Sequence, residues 1–222
     1  MRSIAVVMLT AAWCLCMQGC NVVAGATYVL APDPSEDAVF TLPSRSTVVF
    51  VDDRRNVMHP ARLRNVVGDA ATTKLLEEDV LTTMVEPRDA VRYVASKDRH
   101  GQAVSMASIG EAVGAEIVIY VEMKAFGLSS DGRTPDPQAA CEVRVIDAVS
   151  RTRLFPVADS ETGEQAGHLL IVGMRKVDPS RTSDARSARK LAEELATELG
   201  DAVAELFYKH NVGRLGENLD RR

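Results

Sequence analysis

The sequence predicts an α/β (α+β) fold in which one mixed β-sheet carries helices packed on it. The order of the apolar segments supports this: strands alternate with helices in the first half, and several short strands follow one another in the second. Early βαβ alternation predicts parallel strands, and the later meander predicts antiparallel ones. The composition, 46% hydrophobic and 26% charged, indicates a globular domain and excludes a disordered, collagen-like or multi-pass membrane chain.

The first half of the domain is predicted as strand, helix, strand and helix. Residues 47–51 (TVVFV) form a continuous apolar, β-branched run, which indicates a strand covered on both faces. A helix is predicted to begin at His59 and Pro60, because proline suits the first helical position and apolar residues follow at helical spacing. Residues 80–85 are predicted as the second strand, and Pro87 is predicted to open the next helix.

The centre of the chain contains the clearest strand signals. A short helix over residues 108–115 is predicted to end at Gly114, since glycine favours helix C-termini. Residues 116–121 (EIVIYV) form the strongest predicted strand. After a polar loop at residues 129–138, apolar and charged residues alternate over residues 141–146, which predicts a half-exposed strand.

The last third is predicted to complete the meander and close with a helix. A turn at residues 147–151 leads to a predicted strand at 152–155, and residues 169–172 form a further strand candidate. The final helix is predicted to begin near Ser183 and has one apolar face, with acidic residues on the others. We expect it to dock on the sheet, because a helix lying on a membrane would carry Lys and Arg on its polar face.

The amino terminus indicates export. Arg2 is followed by an apolar run over residues 4–17, which is too short for a membrane span of about 20 apolar residues. The run leads to Gly19 and Cys20, which resemble the bacterial lipobox, where a small residue precedes a cysteine that receives lipid. We predict cleavage after Gly19 and lipidation of Cys20; secretory cleavage after Ala26 is the alternative.

Four segments follow from this interpretation. They are a lipoprotein signal peptide at residues 1–19, a lipid-anchored tether at 20–45, a single globular α/β domain at 46–210 and a polar tail at 211–222. Prolines and acidic residues interrupt the tether, as suits a segment that holds a domain away from a membrane. By the lipobox resemblance, Asn21 implies passage to the outer membrane, so we expect the bacterial cell envelope, at the periplasmic face of that membrane.

No catalytic residue, metal site or cofactor is predicted. Asp52 and Asp53 end the first strand and are interpreted as loop-opening residues, and the four histidines have no metal-binding spacing. Once the signal is removed and Cys20 carries lipid, Cys141 is the remaining cysteine, so we expect no internal disulfide and a buried thiol. The net charge of −5 argues against a nucleic-acid partner.

Two segments resemble a group of bacterial envelope lipoproteins. They are the short helix and apolar strand at residues 109–121, and residues 143–147 (VRVID) with the turn and strand that follow. The group includes the curli-secretion lipoprotein, the lipoprotein activator of a peptidoglycan synthase and the amino-terminal domain of the Tol translocation protein. The resemblance covers about residues 46–209 and implies a small α/β domain that binds other envelope proteins and has no active site.

The sequence therefore predicts a non-enzymatic, lipid-anchored envelope protein that acts through protein–protein contacts in envelope assembly or secretion. Its partners would be the membrane, through Cys20, and envelope proteins of unknown identity. The strand at 141–146 and the loop at 129–138 form the candidate contact surface, since an open strand edge can accept a partner's strand. The candidate residues are Ser129, Asp131, Arg133, Glu142 and Arg144. The alternatives are an exported hydrolase or solute-binding protein whose site is assembled from scattered acids, and a purely structural surface lipoprotein.

Overall fold

A computed structural model of the chain describes residues 35–98, 104–131, 134–157 and 166–211. The strands are β1 (Ser35–Glu36), β2 (Thr47–Asp52), β3 (Met84–Val85), β4 (Ile117–Gly127), β5 (Gln138–Asp147), β6 (Thr152–Phe155), β7 (His168–Gly173) and β8 (His210–Asn211). The helices are α1 (Leu63–Glu77), α2 (Pro87–Asp98), α3 (Met106–Val113) and α4 (Ala185–Glu205), and a 3₁₀ turn spans Pro179–Thr182. The predicted signal peptide, with Gly19 and Cys20, lies outside the described residues.

The larger of two structural units, Asp37–Lys209, contains a mixed six-stranded sheet. Strand β2 lies between β3 and β4 and is parallel to both, whereas β4 and β5 are antiparallel. Strands β6 and β7 both pair antiparallel with the same side of β5: β6 at its carboxyl end and β7 along its first half. The predicted fold class, with parallel strands early and an antiparallel meander late, is confirmed.

This topology corrects one expectation about the contact surface. Strand β5, which contains residues 141–146, is paired on both sides and is an interior strand. Its alternation of charged and apolar residues arises because one face of the sheet is buried and the other is open, not because the strand forms an edge. The outer strands next to it are β6 and β7.

Two layers of helices cover the sheet. Side chains alternate along β2, so that Val49 points toward the layer formed by α1 and α4, and Val48 points toward α2 and α3. Strand β4 alternates in the same way, with Ile119 in the first layer and Val118 in the second. Both central strands are thus buried on both faces, which is why their sequences contain continuous apolar runs.

The carboxyl-terminal helix packs on α1 and on the sheet, as predicted. Its leucine stripe, which includes Leu191, Leu195 and Leu199, is completely buried. The helix begins at Ala185, because the Asp184 carboxylate accepts hydrogen bonds from the backbone N–H groups of residues 186 and 187 and caps the first turn.

Two predicted element boundaries were wrong. The first helix begins at Leu63 and not at Pro60. Pro60 lies in the preceding turn, and its backbone carbonyl accepts the Leu63 N–H at 3.0 Å. The second strand is reduced to Met84–Val85, because the backbone of residues 80 and 81 hydrogen-bonds to the Leu75 carbonyl at the end of α1. Leu81 is buried in the core, so its apolar character serves packing and not strand pairing.

The second unit is described through its two strands, β1 and β8, which pair antiparallel with Ser35 opposite Asn211 and Glu36 opposite His210. Residues 37–45, predicted as the end of the tether, belong instead to the larger unit, because Leu42 is buried in its core and Phe40 packs against that core.

Candidate functional site

Four charged side chains form a compact group on the face of the sheet that α2 and α3 cover only in part. Glu122 and Lys124 come from β4, and Glu142 and Arg144 come from β5; we call them the charge cluster. Arg144 donates from Nη1 to Glu122 Oε2 at 2.9 Å and from Nη2 to Glu142 Oε2 at 2.7 Å. Lys124 Nζ lies 2.8 Å from Glu122 Oε1 and 3.2 Å from Glu142 Oε1. The strand register explains the arrangement. Glu122 lies directly opposite Glu142, so the two carboxylates repel each other, and the adjacent cations Lys124 and Arg144 offset this repulsion.

The electrostatics of the charge cluster favour the ionised forms. Partial burial alone would raise the pKa of Glu122, but hydrogen bonds from Lys124 and Arg144 lower it below its ordinary value. The pKa of Glu142 is also lowered, since the Gly167 N–H and Lys124 outweigh the effect of burial. Hydrogen bonds to the two glutamates raise the pKa of Lys124. The cluster therefore stays fully charged near neutral pH and is neutral as a whole.

Next to the charge cluster, β7 exposes apolar side chains. Leu169, opposite Glu142, is 57% exposed, and Ile171, opposite Ala140, is 66% exposed. Leu170 alternates with them and packs against the core on the other face. In the part of the chain that the structure describes, β7 pairs with β5 alone, so its outer side is unpaired. We call this side of β7, with Leu169 and Ile171, the edge surface.

The candidate contact residues predicted from the sequence do not all lie together. Glu142 and Arg144 belong to the charge cluster, with side chains 19% and 18% exposed. Ser129 and Asp131 lie in the loop between β4 and β5, where Ser129 Oγ donates to Asp131 Oδ1 at 2.9 Å. Arg133 lies outside the described residues.

Sequence reasoning missed the edge surface and half of the charge cluster. The run LLIV in β7 predicts a strand, but its unbroken apolar character gave no sign that one face is left uncovered. Glu122 and Lys124 could have been found from the sequence. They follow the strongest predicted strand, residues 116–121, and alternate with the apolar Met123, so they continue the period of two that is typical of a strand.

The acidic pair at the carboxyl end of β2, Asp52 and Asp53, is held by internal hydrogen bonds. Asp53 accepts the backbone N–H groups of Val57 at 2.8 Å and Met58 at 2.9 Å. Asp52 Oδ2 accepts the Tyr120 hydroxyl at 2.8 Å and the Arg54 Nε–H at 2.7 Å. These bonds order the loop that follows β2. Among residues 35–98, 104–131, 134–157 and 166–211, no group of three or more His, Cys, Asp or Glu side chains is placed to hold a metal ion.

Cys141 is completely buried beneath the sheet face that α1 and α4 cover, as predicted. Burial raises the pKa of its thiol to about 12, so it is an unreactive packing residue. Within the described ranges, none of the helices combines the length and apolar character that crossing a membrane requires.

No family model and no curated protein matches the sequence. Several solved structures share a distant likeness. PelC from Paraburkholderia phytofirmans, crystallised as a dodecamer, is 8% identical, with 78% of this chain and 98% of that chain covered and a TM-score of 0.40. A hypothetical protein from Chlamydia trachomatis is 14% identical, with coverages of 73% and 93% and a TM-score of 0.43. Lipoprotein GNA1162 from Neisseria meningitidis is 13% identical, with coverages of 68% and 98% and a TM-score of 0.38.

Proposed function

We propose that this chain is a lipid-anchored protein of the bacterial cell envelope that acts by binding other envelope proteins, in assembly or secretion, and catalyses no reaction. The export signal and the Gly19–Cys20 pair support the anchor. The edge surface of β7 is the observation that supports protein binding most directly.

The edge surface suits a partner that adds a strand to the sheet. The outer side of β7 offers a row of backbone N–H and C=O groups, and β-strand addition uses such rows for affinity. Proteins usually protect open edges with charged residues, proline or a bulge, but His168–Gly173 contains no proline and no Lys, Arg, Asp or Glu. The partner we propose is an extended segment whose apolar side chains lie beside Leu169 and Ile171.

The charge cluster has a supporting role in this proposal. Its two cations and two carboxylates neutralise each other, so it exerts little long-range attraction on a charged partner. Its ion pairs instead hold β4 and β5 in register and keep the sheet face beside the edge surface ordered. A partner strand would thus meet a preformed edge, which lowers the entropy lost on binding.

The anchor is proposed at Cys20. A diacylglyceryl thioether with an N-linked acyl chain such as palmitate supplies more than one chain, which is enough for stable membrane attachment. Asn21 supports passage to the outer membrane, and we propose that the domain lies at its periplasmic face. The link to the membrane would be the part of the predicted tether before Asp37, because Leu42 is buried in the core of the domain and Arg45 is paired with Asp147.

The anchor is tested by intact-mass analysis of the membrane fraction. We expect an acylated chain that starts at Cys20. The Cys20→Ser variant should lose the lipid mass and leave the membrane fraction, whereas the matched Cys16→Ser variant should retain both properties. An unmodified chain that starts at Thr27 would show that ordinary secretory cleavage takes place instead.

The contact surface is tested by photocrosslinking in cells. A photoreactive amino acid at Ile171 should give a discrete crosslinked species in membranes, and the same residue at Arg189, exposed on α4, should not. Replacing Leu169 with Lys should weaken the Ile171 crosslink without changing the circular dichroism spectrum, because Leu169 is exposed and contributes little to folding. Equal crosslinking from both positions, or none from Ile171, would contradict the proposal.

A further inference from the structure

A cleft of about 610 Å³ opens at the carboxyl end of β2, on the sheet face that α2 and α3 cover, and β4 and β5 lie between β2 and the edge surface. Its apolar walls include Val91 and Val94 of α2 and Met106 of α3, and its polar end is formed by the loop after β2 together with Arg64 of α1. The volume lies within the range of about 300–1,000 Å³ that is usual for small-molecule sites, and the mixture of apolar walls with a few polar groups is also usual.

The sheet topology explains why a cleft forms there. Strand β2 lies between β3 and β4, and all three are parallel. The connection from β2 to β3 passes through α1 on one face of the sheet, and the connection from β3 to β4 passes through α2 and α3 on the other face. Where consecutive connections leave to opposite faces, a crevice opens outside the carboxyl ends of the strands, and ligands bind in such crevices.

The charged groups of the cleft differ in what they already bind. Both oxygens of the Asp53 carboxylate accept backbone N–H groups, and Asp52 is paired with Arg54. Arg64 forms no ion pair with any other described residue: its Nε–H donates to the Ala61 carbonyl at 3.3 Å, and the terminal guanidinium nitrogens have no protein acceptor there. The guanidinium is thus the charge in the cleft that is left for a ligand, and its paired donors match a carboxylate, sulfonate or phosphate.

We propose that this cleft binds a small amphiphile with an anionic head, whose head contacts Arg64 and whose apolar body lies against Val91, Val94 and Met106. The site is separate from the edge surface and does not depend on the proposed protein contact. Binding here would make the domain responsive to an acidic apolar metabolite or to a free acyl chain, two sources of the same chemistry.

The proposal is tested on the full chain with a pair of matched fluorescent probes. 1-Anilinonaphthalene-8-sulfonate carries an anionic head, and N-phenyl-1-naphthylamine has the same rings without it. We expect saturable sulfonate binding that Arg64→Gln weakens by about tenfold, the usual size of a charge-assisted hydrogen-bond pair, with little change for the neutral probe. Arg55→Gln is the matched control, since Arg55 is an exposed arginine of the loop after β2 that does not line the cleft.

Two further variants separate the cleft from the edge surface. Val94→Trp should fill the apolar part of the cleft and reduce binding of both probes, whereas the double variant Leu169→Ser, Ile171→Ser should leave both unchanged. Circular dichroism of each variant checks that the fold is retained. Loss of sulfonate binding in the edge variant, with no effect of Arg64→Gln, would overturn the proposal.

Displacement then distinguishes the two ligand sources. Displacement of the bound sulfonate by decanoate would indicate a site for acyl chains, and displacement by 2-naphthoate would indicate a site for compact aromatic acids. Either result supports an anionic amphiphile. If neither acid displaces the probe at millimolar concentration, the proposal is wrong.

Discussion

Arg45 and Asp147, 102 residues apart in the chain, form an ion pair in which Arg45 Nη2 donates to Asp147 Oδ2 at 2.8 Å. The pair joins the segment before β2 to the last residue of β5. The other carboxylate oxygen of Asp147 accepts the backbone N–H groups of Val149 and Ser150, which closes the turn into β6. Asp147 therefore fixes two connections at one end of the sheet.

The first prediction concerns the pH dependence of this contact. The hydrogen bond from Arg45, together with those from Ser150 and Val149, lowers the pKa of Asp147 from 3.8 to about 2. A lowered folded-state pKa stabilises the protein above the unfolded-state pKa, and that contribution is lost as pH falls from about 4 to about 2. We expect Asp147→Asn to lower the free energy of unfolding by about 1–2 kcal/mol at pH 6 and much less near pH 2.

Urea denaturation at the two pH values measures this difference. Asp136→Asn is the matched control, because Asp136 is an exposed aspartate in the loop before β5, and it should behave like the unmodified chain at both pH values. A destabilisation of Asp147→Asn that is the same at both pH values would show that the ionised carboxylate is not what stabilises the turn.

The sequence predicted the elements of this region better than their contacts. Residues 147–151 were predicted as a turn from their position after an alternating strand, and the structure confirms the turn. The pairing of Arg45 with Asp147 could not be predicted, since local patterns say which residues are polar but not which distant residues the topology brings together. The edge surface was missed for the same reason: whether β7 or β5 forms the edge depends on long-range pairing.

The second prediction concerns the charge cluster. Replacing Arg144 with Met leaves Glu122 and Glu142 directly opposite each other with Lys124 as their remaining cation. We expect a loss of about 1–2 kcal/mol in the free energy of unfolding at pH 7, because removing one partner of a partly buried ion pair leaves the other without compensation. The loss should shrink below about pH 4.5, where protonation of the glutamates relieves their repulsion.

The control variant is Arg189→Met. Arg189 is exposed on α4, so its replacement should change the free energy of unfolding by less than about 0.5 kcal/mol. Thermal or urea denaturation of both variants at pH 7 and pH 4 gives the answer. If Arg144→Met is no less stable than Arg189→Met at pH 7, the charge cluster does not hold β4 and β5 together in solution.

The third prediction concerns Cys141. In a chain whose cysteines 14, 16 and 20 are replaced by serine, Cys141 is the one thiol left. We expect iodoacetamide at pH 8 to leave it unmodified in the folded protein and to modify it in urea, because burial excludes the reagent and raises the thiol pKa to about 12. Ser150→Cys adds an exposed thiol as a positive control. Mass spectrometry counts the modified sites, and rapid modification of Cys141 without denaturant would contradict the burial.

The last prediction concerns the contact between the carboxyl-terminal helix and α1. Gly200 faces α1 so closely that a Cβ there would lie 2.5 Å from the Val67 carbonyl oxygen and 2.7 Å from the Ala70 Cβ. Helix propensity alone would make Gly200→Ala stabilising by about 1 kcal/mol. We expect the opposite, a loss of about 1–3 kcal/mol, because the backbone of α1 cannot move away without disturbing the core beneath both helices. Glu198→Ala, two positions earlier and exposed, should change stability by less than about 0.5 kcal/mol. Urea denaturation measures the free energy of unfolding of the two variants. A Gly200→Ala protein that is more stable than the unmodified chain would mean that α1 and α4 leave room for a Cβ at this position.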